Sequence, residues 1–93
     1  MQNINWAICC RYNQARSIVA AALLRKHFPD IQINSFGIEA IDREPIPKSV
    51  TEIAQLWNLA EYDRTSRKFD NNWFRSNQCD ILAADNFVKE VLT

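Results

Sequence analysis

Short apolar runs alternate with helical patterns along the chain. Residues 4–9 are apolar enough for a buried strand, and polar residues follow them at once. From Arg16 onward apolar side chains recur on one helix face, and Pro29 ends that helix. Residues 31–36 then alternate with period two, and Gly37 closes this second strand. A strand, a helix and a strand in this order predict a right-handed βαβ unit.

The rest of the chain continues the alternation with shorter elements. Residues 38–46 are predicted to form a loop, and Pro47 suits the first turn of a helix that reaches about residue 58. The inward face of that helix is predicted to hold Val50, Ile53, Ala54 and Trp57. A connection over residues 59–68 leads to a short helix at 71–77 with Trp73 and Phe74 inward, a buried strand at 80–84 and a last helix at 87–92.

Strands that alternate with helices predict a small three-layer α/β/α fold with a mainly parallel sheet of about three strands. A length of 93 residues fits a single domain over residues 1–93. In such folds the functional loops follow the carboxyl ends of the strands. The loop after the first strand is therefore where a site is expected.

Composition narrows the classes of function. Eleven Lys and Arg balance eleven Asp and Glu, which argues against broad nucleic-acid binding. Neither a membrane span nor a signal peptide is recognisable, so we expect a cytoplasmic location without membrane contact. The chain has three cysteines, no Cys-x-x-Cys and only His27, so neither a disulfide framework nor a metal site is expected, and no cofactor.

The loop from Cys10 to Ser17 carries the candidate chemistry. Because it leaves a strand and enters a helix, its backbone N–H groups and the helix N-terminus can converge on an anion. Arg16 adds a planar fork for two phosphate oxygens. A cysteine in such a field loses its proton readily, and Ser17 can donate a hydrogen bond to the thiolate. The pattern predicts a nucleophile in an oxyanion cradle.

The spacing Cys-x5-Arg also arises by chance, and the alternative is a buried Cys10 with a surface Arg16. Likewise, Asn13 could be an ordinary turn residue and Ser17 a simple helix cap. The other cysteine of the pair, Cys9, falls inside the apolar run and is predicted to be a core residue. His27 is predicted to lie at the helix end or on the surface.

Cys10, Asn13, Arg16 and Ser17 stand at the positions of the signature of the low-molecular-weight protein tyrosine phosphatases, which this chain resembles. The similarity continues at residues 28–40, 64–68 and 80–85, and so covers almost the whole chain. The resemblance implies that Cys10 is the nucleophile and Arg16 the phosphate ligand. It implies that Asn13 holds the loop in the left-handed backbone region, that Ser17 tunes the thiolate and that Ser35 supports the loop. The implied phosphate-binding loop also contains Arg11, Tyr12, Gln14 and Ala15.

The implied activity is hydrolysis of phosphotyrosine or small aryl phosphates through a cysteinyl-phosphate intermediate. The partners would be a phosphorylated protein or an aryl phosphate, with inorganic phosphate as product. Four residues depart from the family pattern: Tyr12 replaces a usual Gly, Ala15 a second Cys, Ile18 a usual Pro and Arg64 a common His.

The family's general acid lies in an Asp-Pro dipeptide of its C-terminal part, and no Asp-Pro occurs in these 93 residues. Without an acid, expulsion of the leaving group should slow by about 10²–10⁴. Asp42 and Asp85 are conceivable substitutes. A catalytically impaired phosphate- or phosphoprotein-binding module is the main alternative, and an arsenate-reductase-like enzyme would need cysteines beyond Cys79. The third strand is expected to be an exposed edge that a C-terminal helix or a second copy covers, the latter giving a homodimer.

Overall fold

The computed structural model describes residues 5–77 and 80–83. The predicted order of elements is confirmed, with small shifts at their ends. The last predicted helix, at 87–92, lies outside the described residues. No helix in the described part of the chain is long and apolar enough to cross a membrane. The elements are β1 (Asn5–Cys10), α1 (Arg16–His27), β2 (Gln32–Gly37), α2 (Lys48–Leu56), α3 (Asn71–Asn77) and β3 (Asp80–Ala83).

The three described strands form one parallel sheet in the order β2-β1-β3. The predicted parallel sheet is confirmed, and α1 makes the crossover between β1 and β2. The register places Cys10 opposite Gly37. The carboxyl ends of β1 and β2 therefore lie side by side, at the edge where a site was expected.

Helices cover both faces of the sheet, which confirms the predicted three-layer arrangement. On one face Ile8 and Ile33 pack against Ala21 of α1. A cluster between α1 and α2 extends this layer and contains Ile18, Ala22, Val50, Ala54, Leu59 and Tyr62. On the opposite face Cys9 and Phe36 pack against Phe74 of α3, with Trp73 beside them. The prediction of Cys9 as a core residue is confirmed.

Two positions predicted to face inward from α2 lie at the surface instead. Trp57 is 49% exposed and Ile53 37%. The helix ends at Leu56, so Trp57 lies past the last turn, where the spacing of a helix face no longer applies. Asn58 follows with a φ of 57°, a left-handed conformation that is typical of helix ends. Ile81, predicted in a buried strand, is 39% exposed because β3 lies at the edge of the described sheet.

Gly37, the single glycine of the chain, lets the segment after β1 approach the end of β2 closely. A Cβ atom on Gly37 would lie 2.6 Å from the backbone nitrogen of Asn13 and 2.6 Å from the carbonyl carbon of Tyr12. The Gly37 N–H donates to the carbonyl of Arg67 at 2.8 Å, and the Phe69 N–H donates to the Gly37 carbonyl at 3.0 Å. The end of β2 thus holds two separate segments in place.

Candidate active site

The β1–α1 loop, residues 11–15, turns around the sulfur of Cys10, the last residue of β1. Cys10 is 2% exposed. The backbone N–H of Asn13 donates to its Sγ at 3.1 Å, and the Oγ of Ser17 lies 2.9 Å from the same sulfur. Asn13 has a φ of 53°, so its predicted left-handed conformation is confirmed. Asn tolerates this region better than most residues, and the bend brings its N–H to the sulfur.

Hydrogen bonds of the Asn13 side chain position the Ser17 hydroxyl beside the Cys10 sulfur. The backbone N–H of Arg67 donates to Asn13 Oδ1 at 2.6 Å, which assigns the orientation of the amide. Asn13 Nδ2 then donates to Ser17 Oγ at 2.7 Å. Because this oxygen accepts there, the hydroxyl hydrogen is available to the sulfur. The Cys10 sulfur thus accepts one hydrogen bond from the Asn13 N–H and can accept a second from the Ser17 hydroxyl.

Backbone donors are available on the solvent side of the loop. Ala15 is the N-cap of α1 and has no side-chain oxygen for the first-turn N–H groups. The N–H groups of Tyr12, Gln14 and Ala15 have no acceptor within the part of the chain that the structure describes. Arg16, at the first position of α1, is exposed. A helix N-terminus, backbone donors and a guanidinium together can bind an oxyanion.

Ser66 and Arg67 support the loop from a segment that lies about fifty residues further along the chain. Gln14 Nε2 donates to the hydroxyl of Ser66, which is 3% exposed, while Arg67 supplies the N–H for Asn13. Residues 64–68 stand out in the sequence only through the resemblance, which implies no role for Ser66 or Arg67. The residue in the sequence that points to such support is Gln14, because an amide side chain in a tightly folded loop needs a hydrogen-bond partner.

Ser35, predicted to support the loop, donates its hydroxyl hydrogen to Asp63 Oδ2 at 2.5 Å. Asp63 also accepts from Arg25 Nη2 at 3.1 Å, and the same guanidinium donates twice to the carbonyl of Ile33, at 3.0 and 2.7 Å. These bonds join β2, α1 and the segment that leads to Ser66. Among the described residues, Ser35 is therefore connected to the loop indirectly, through the segment that contains Asp63 and Ser66.

The remaining predicted loop residues form the rim of the site. Arg11 Nε pairs with Glu39 Oε2 at 2.8 Å, and Tyr12 is 51% exposed. A cleft of about 200 Å³, here called the rim cleft, lies beside the loop, and Tyr12 forms one of its walls. The bulky residue at this position therefore borders the mouth of the site. The rim cleft is lined by Tyr12, Gln14, Glu39, Ala40, Ile41 and Glu44.

Asp42, a candidate acid, lies elsewhere. Its Oδ1 accepts from the backbone N–H of Lys68 at 2.7 Å, and it lines a separate cleft of about 350 Å³. Asp85 and Cys79 lie outside the described residues. His27 is exposed at the end of α1. Across residues 5–77 and 80–83, no group of three or more His, Cys, Asp or Glu is arranged to hold a metal ion.

Comparison with known proteins identifies the fold. No protein-family model and no curated protein matches the sequence. The tyrosine phosphatase Wzb from Escherichia coli K30, solved with sulphate, superposes with a TM-score of 0.85 at 23% identity, over 98% of this chain and 63% of that one. Vibrio vulnificus Wzb, in complex with benzylphosphonate, gives 0.86 at 20% identity, over 99% and 65%.

The low molecular weight protein tyrosine phosphatase SP-PTP from Streptococcus pyogenes gives a TM-score of 0.81 at 18% identity, over 96% of this chain and 61% of that one. The chain therefore has the fold of the low molecular weight protein tyrosine phosphatases. It spans less than two thirds of the length of each of these three structures, between 61% and 65%.

Proposed function

We propose that this chain is a cysteine-dependent phosphatase that hydrolyses phosphotyrosine or small aryl phosphates through a cysteinyl-phosphate intermediate. The observation that carries the proposal is the row of hydrogen-bond contacts that runs from Arg67 through Asn13 and Ser17 to the sulfur of Cys10. Such a row prepares a sulfur nucleophile beneath a loop of backbone donors. The fold, shared with tyrosine phosphatases, supports the same activity.

In the first step the Cys10 thiolate attacks phosphorus, the S–P bond forms, and the bond from phosphorus to the aryl oxygen breaks. The loop N–H groups and the Arg16 guanidinium donate to the phosphoryl oxygens, whose charge they stabilise in the transition state. In the second step water attacks phosphorus, the S–P bond breaks and inorganic phosphate leaves. The hydroxyl of Ser17 donates to the sulfur when it departs as thiolate, while Asn13 positions that hydroxyl.

The proposed preference for aryl phosphates is inferred from the residues that line the rim cleft. Tyr12 and Ile41, which are 51% and 68% exposed, line it and provide apolar surface next to the loop. An aryl group attached to a phosphate in the loop would bury this surface, which favours aryl over alkyl phosphates. The partners we propose are a phosphorylated protein or a small aryl phosphate, with inorganic phosphate as product.

β3 is an edge strand of the described sheet and offers a surface for a protein partner. Ile81 is 39% exposed there, and unpaired strand edges favour pairing with another chain. We propose that a second copy of the chain covers this edge, with the segment after residue 84 as the competing occupant. Light scattering over a wide concentration range separates them, since a constant monomer mass would rule out the homodimer.

Hydrolysis of p-nitrophenyl phosphate tests the proposed activity. The p-nitrophenolate group leaves without a proton, so this substrate reports on the nucleophile and the loop independently of any general acid. We expect Cys10→Ser to abolish turnover. Cys9→Ala is the matched control, because Cys9 faces the aromatic cluster on the other side of the sheet, and it should retain turnover.

Two other results would be informative. If the wild-type chain shows no turnover but vanadate or phosphate raises its melting temperature, the chain is a phosphate-binding module. If neither anion binds and no substrate is hydrolysed, the proposal is wrong.

A further inference from the structure

The rim cleft carries a negative charge that the proposed chemistry does not use. Two carboxylates line it, those of Glu39 and Glu44. Glu39 is neutralised by Arg11 at 2.8 Å. Glu44 is exposed and forms no ion pair with another described residue. The cleft next to the reactive loop therefore contains one carboxylate without a counter-charge in the described part of the chain.

The backbone at Glu44 is tied to the β1–α1 loop through a single residue, Ser66. The Ser66 N–H donates to the carbonyl of Glu44 at 2.7 Å, and the Ser66 hydroxyl accepts from Gln14 of the loop. On either side of Glu44 the chain is also held. Arg43 donates its N–H to the Ser66 carbonyl at 2.9 Å, and Pro45 pairs with Thr65 in an antiparallel bridge. Paired backbone thus sets the position of the Glu44 main chain, and so the point from which its side chain leaves, relative to the loop.

We propose that Glu44 selects phosphopeptides that carry Lys or Arg next to the phosphotyrosine. This inference rests on the proposed phosphatase function. A carboxylate at the rim attracts an ammonium or guanidinium group on a residue flanking the bound phosphotyrosine and repels a flanking carboxylate. Arg11 does not offset this charge, because it is paired with Glu39. The neighbouring Asp42 and Arg43 line the separate cleft and carry opposite charges.

The test compares two phosphotyrosine peptides that differ only in their flanks, one with two lysines on each side and one with two glutamates. For the wild-type chain at low ionic strength, we expect kcat/KM to be about two- to five-fold higher for the lysine peptide, as fits one solvent-exposed charge pair. Added salt should reduce this ratio towards one. Glu44→Gln should bring the ratio close to one, and Glu44→Lys should invert it.

Glu52→Lys is the control, because it changes the net charge by the same amount at an exposed position of α2 where the side chain is 63% exposed. It should keep the wild-type ratio. Equal rates for the two peptides with the wild-type chain, or equal effects of Glu44→Lys and Glu52→Lys, would overturn the inference and leave the phosphatase proposal intact.

The same ratio can be measured as Kd by fluorescence anisotropy if the peptides bind without turnover. The expected preference for the lysine peptide is then unchanged. A chain that neither binds nor hydrolyses either phosphopeptide, nor p-nitrophenyl phosphate, would contradict the proposed function itself and this inference with it.

Discussion

Cys9 and Cys10 are neighbours in the sequence and both are buried, yet their surroundings differ completely. Cys9 packs with Phe36 and Phe74 in an apolar cluster. Cys10 accepts a hydrogen bond from the N–H of Asn13 in the loop that follows it, and the Ser17 hydroxyl lies 2.9 Å from its sulfur. Successive residues of a strand face opposite sides of the sheet. One step along β1 therefore separates a thiol in an apolar cluster from a thiol with polar partners, and the difference comes from the position of Cys10 at the strand end.

The largest effect is expected from removing the cation of Arg16, which lies at the start of α1 beside the loop. Arg16→Ala should lower kcat/KM for p-nitrophenyl phosphate by about 10²–10³, because a charged donor to the phosphoryl oxygens is lost. Steady-state kinetics measure this. Lys26→Ala, an exposed cation in the last turn of the same helix, is the control and should change the rate less than twofold, roughly as for a surface substitution. Equal losses in both variants would contradict a specific role for Arg16.

The next largest effect is expected at Gly37, where the β1–α1 loop lies close to the end of β2. Gly37→Ala places a methyl group 2.6 Å from the backbone nitrogen of Asn13, so the loop must shift. We expect a loss of about tenfold to a hundredfold in kcat/KM and a destabilisation of about 1–3 kcal/mol. Rates are measured at a temperature where circular dichroism shows the variant folded. Wild-type activity in that variant would show that the loop tolerates the methyl group.

A smaller effect is expected on the rate at which the Cys10 thiol is alkylated, compared with the Cys9 thiol. Ser17→Ala removes the hydroxyl that lies 2.9 Å from the Cys10 sulfur. If this hydroxyl donates to the sulfur as proposed, alkylation of Cys10 by iodoacetamide at neutral pH should slow by about tenfold. Mass spectrometry of tryptic fragments reports each cysteine separately. Cys9 should stay unmodified in both forms while the protein is folded, since it packs against Phe36 and Phe74 on the face of the sheet away from the loop. Faster labelling of Cys9 than of Cys10 would reverse the comparison.

The smallest effect is expected from the distant support of the loop. Gln14→Ala and Ser66→Ala each break the same neutral hydrogen bond and should each weaken phosphate binding by about 1 kcal/mol or less. The double variant should lose little more than either single variant, because the two side chains act as one unit. Isothermal calorimetry of phosphate binding measures the cycle. Additive losses would mean that the two residues act independently.

The sequence predicts the local part of this site well and the distant part poorly. The strand, the polar loop and the helix start follow from periodicity and composition, and the conformation of Asn13 is implied by the family resemblance and is one that Asn tolerates. The support from Ser66 and Arg67 could not be predicted, because it comes from irregular backbone more than fifty residues away in the chain. Periodic patterns carry no information on which irregular segments meet.

The same limit explains two side chains whose surroundings were predicted incompletely. Trp57 is predicted to face inward because the helical pattern extends to about residue 58, past the end of α2 at Leu56. Ser35 is predicted to support the loop, and the structure adds that its hydroxyl bonds to Asp63, which is held by Arg25 of α1. Element ends and polar partners depend on tertiary contacts that spacing alone does not encode.

The central position of β1 has a consequence for the order of folding. Both strands that flank it come later in the chain, and β3 pairs Ala7 with Ile81 across more than seventy residues. Closing so long a stretch of chain is slow, because its entropy is lost before the strand contacts are gained. During refolding we therefore expect the backbone groups of β1 that face β3 to stay unpaired until this last part of the described sheet has assembled.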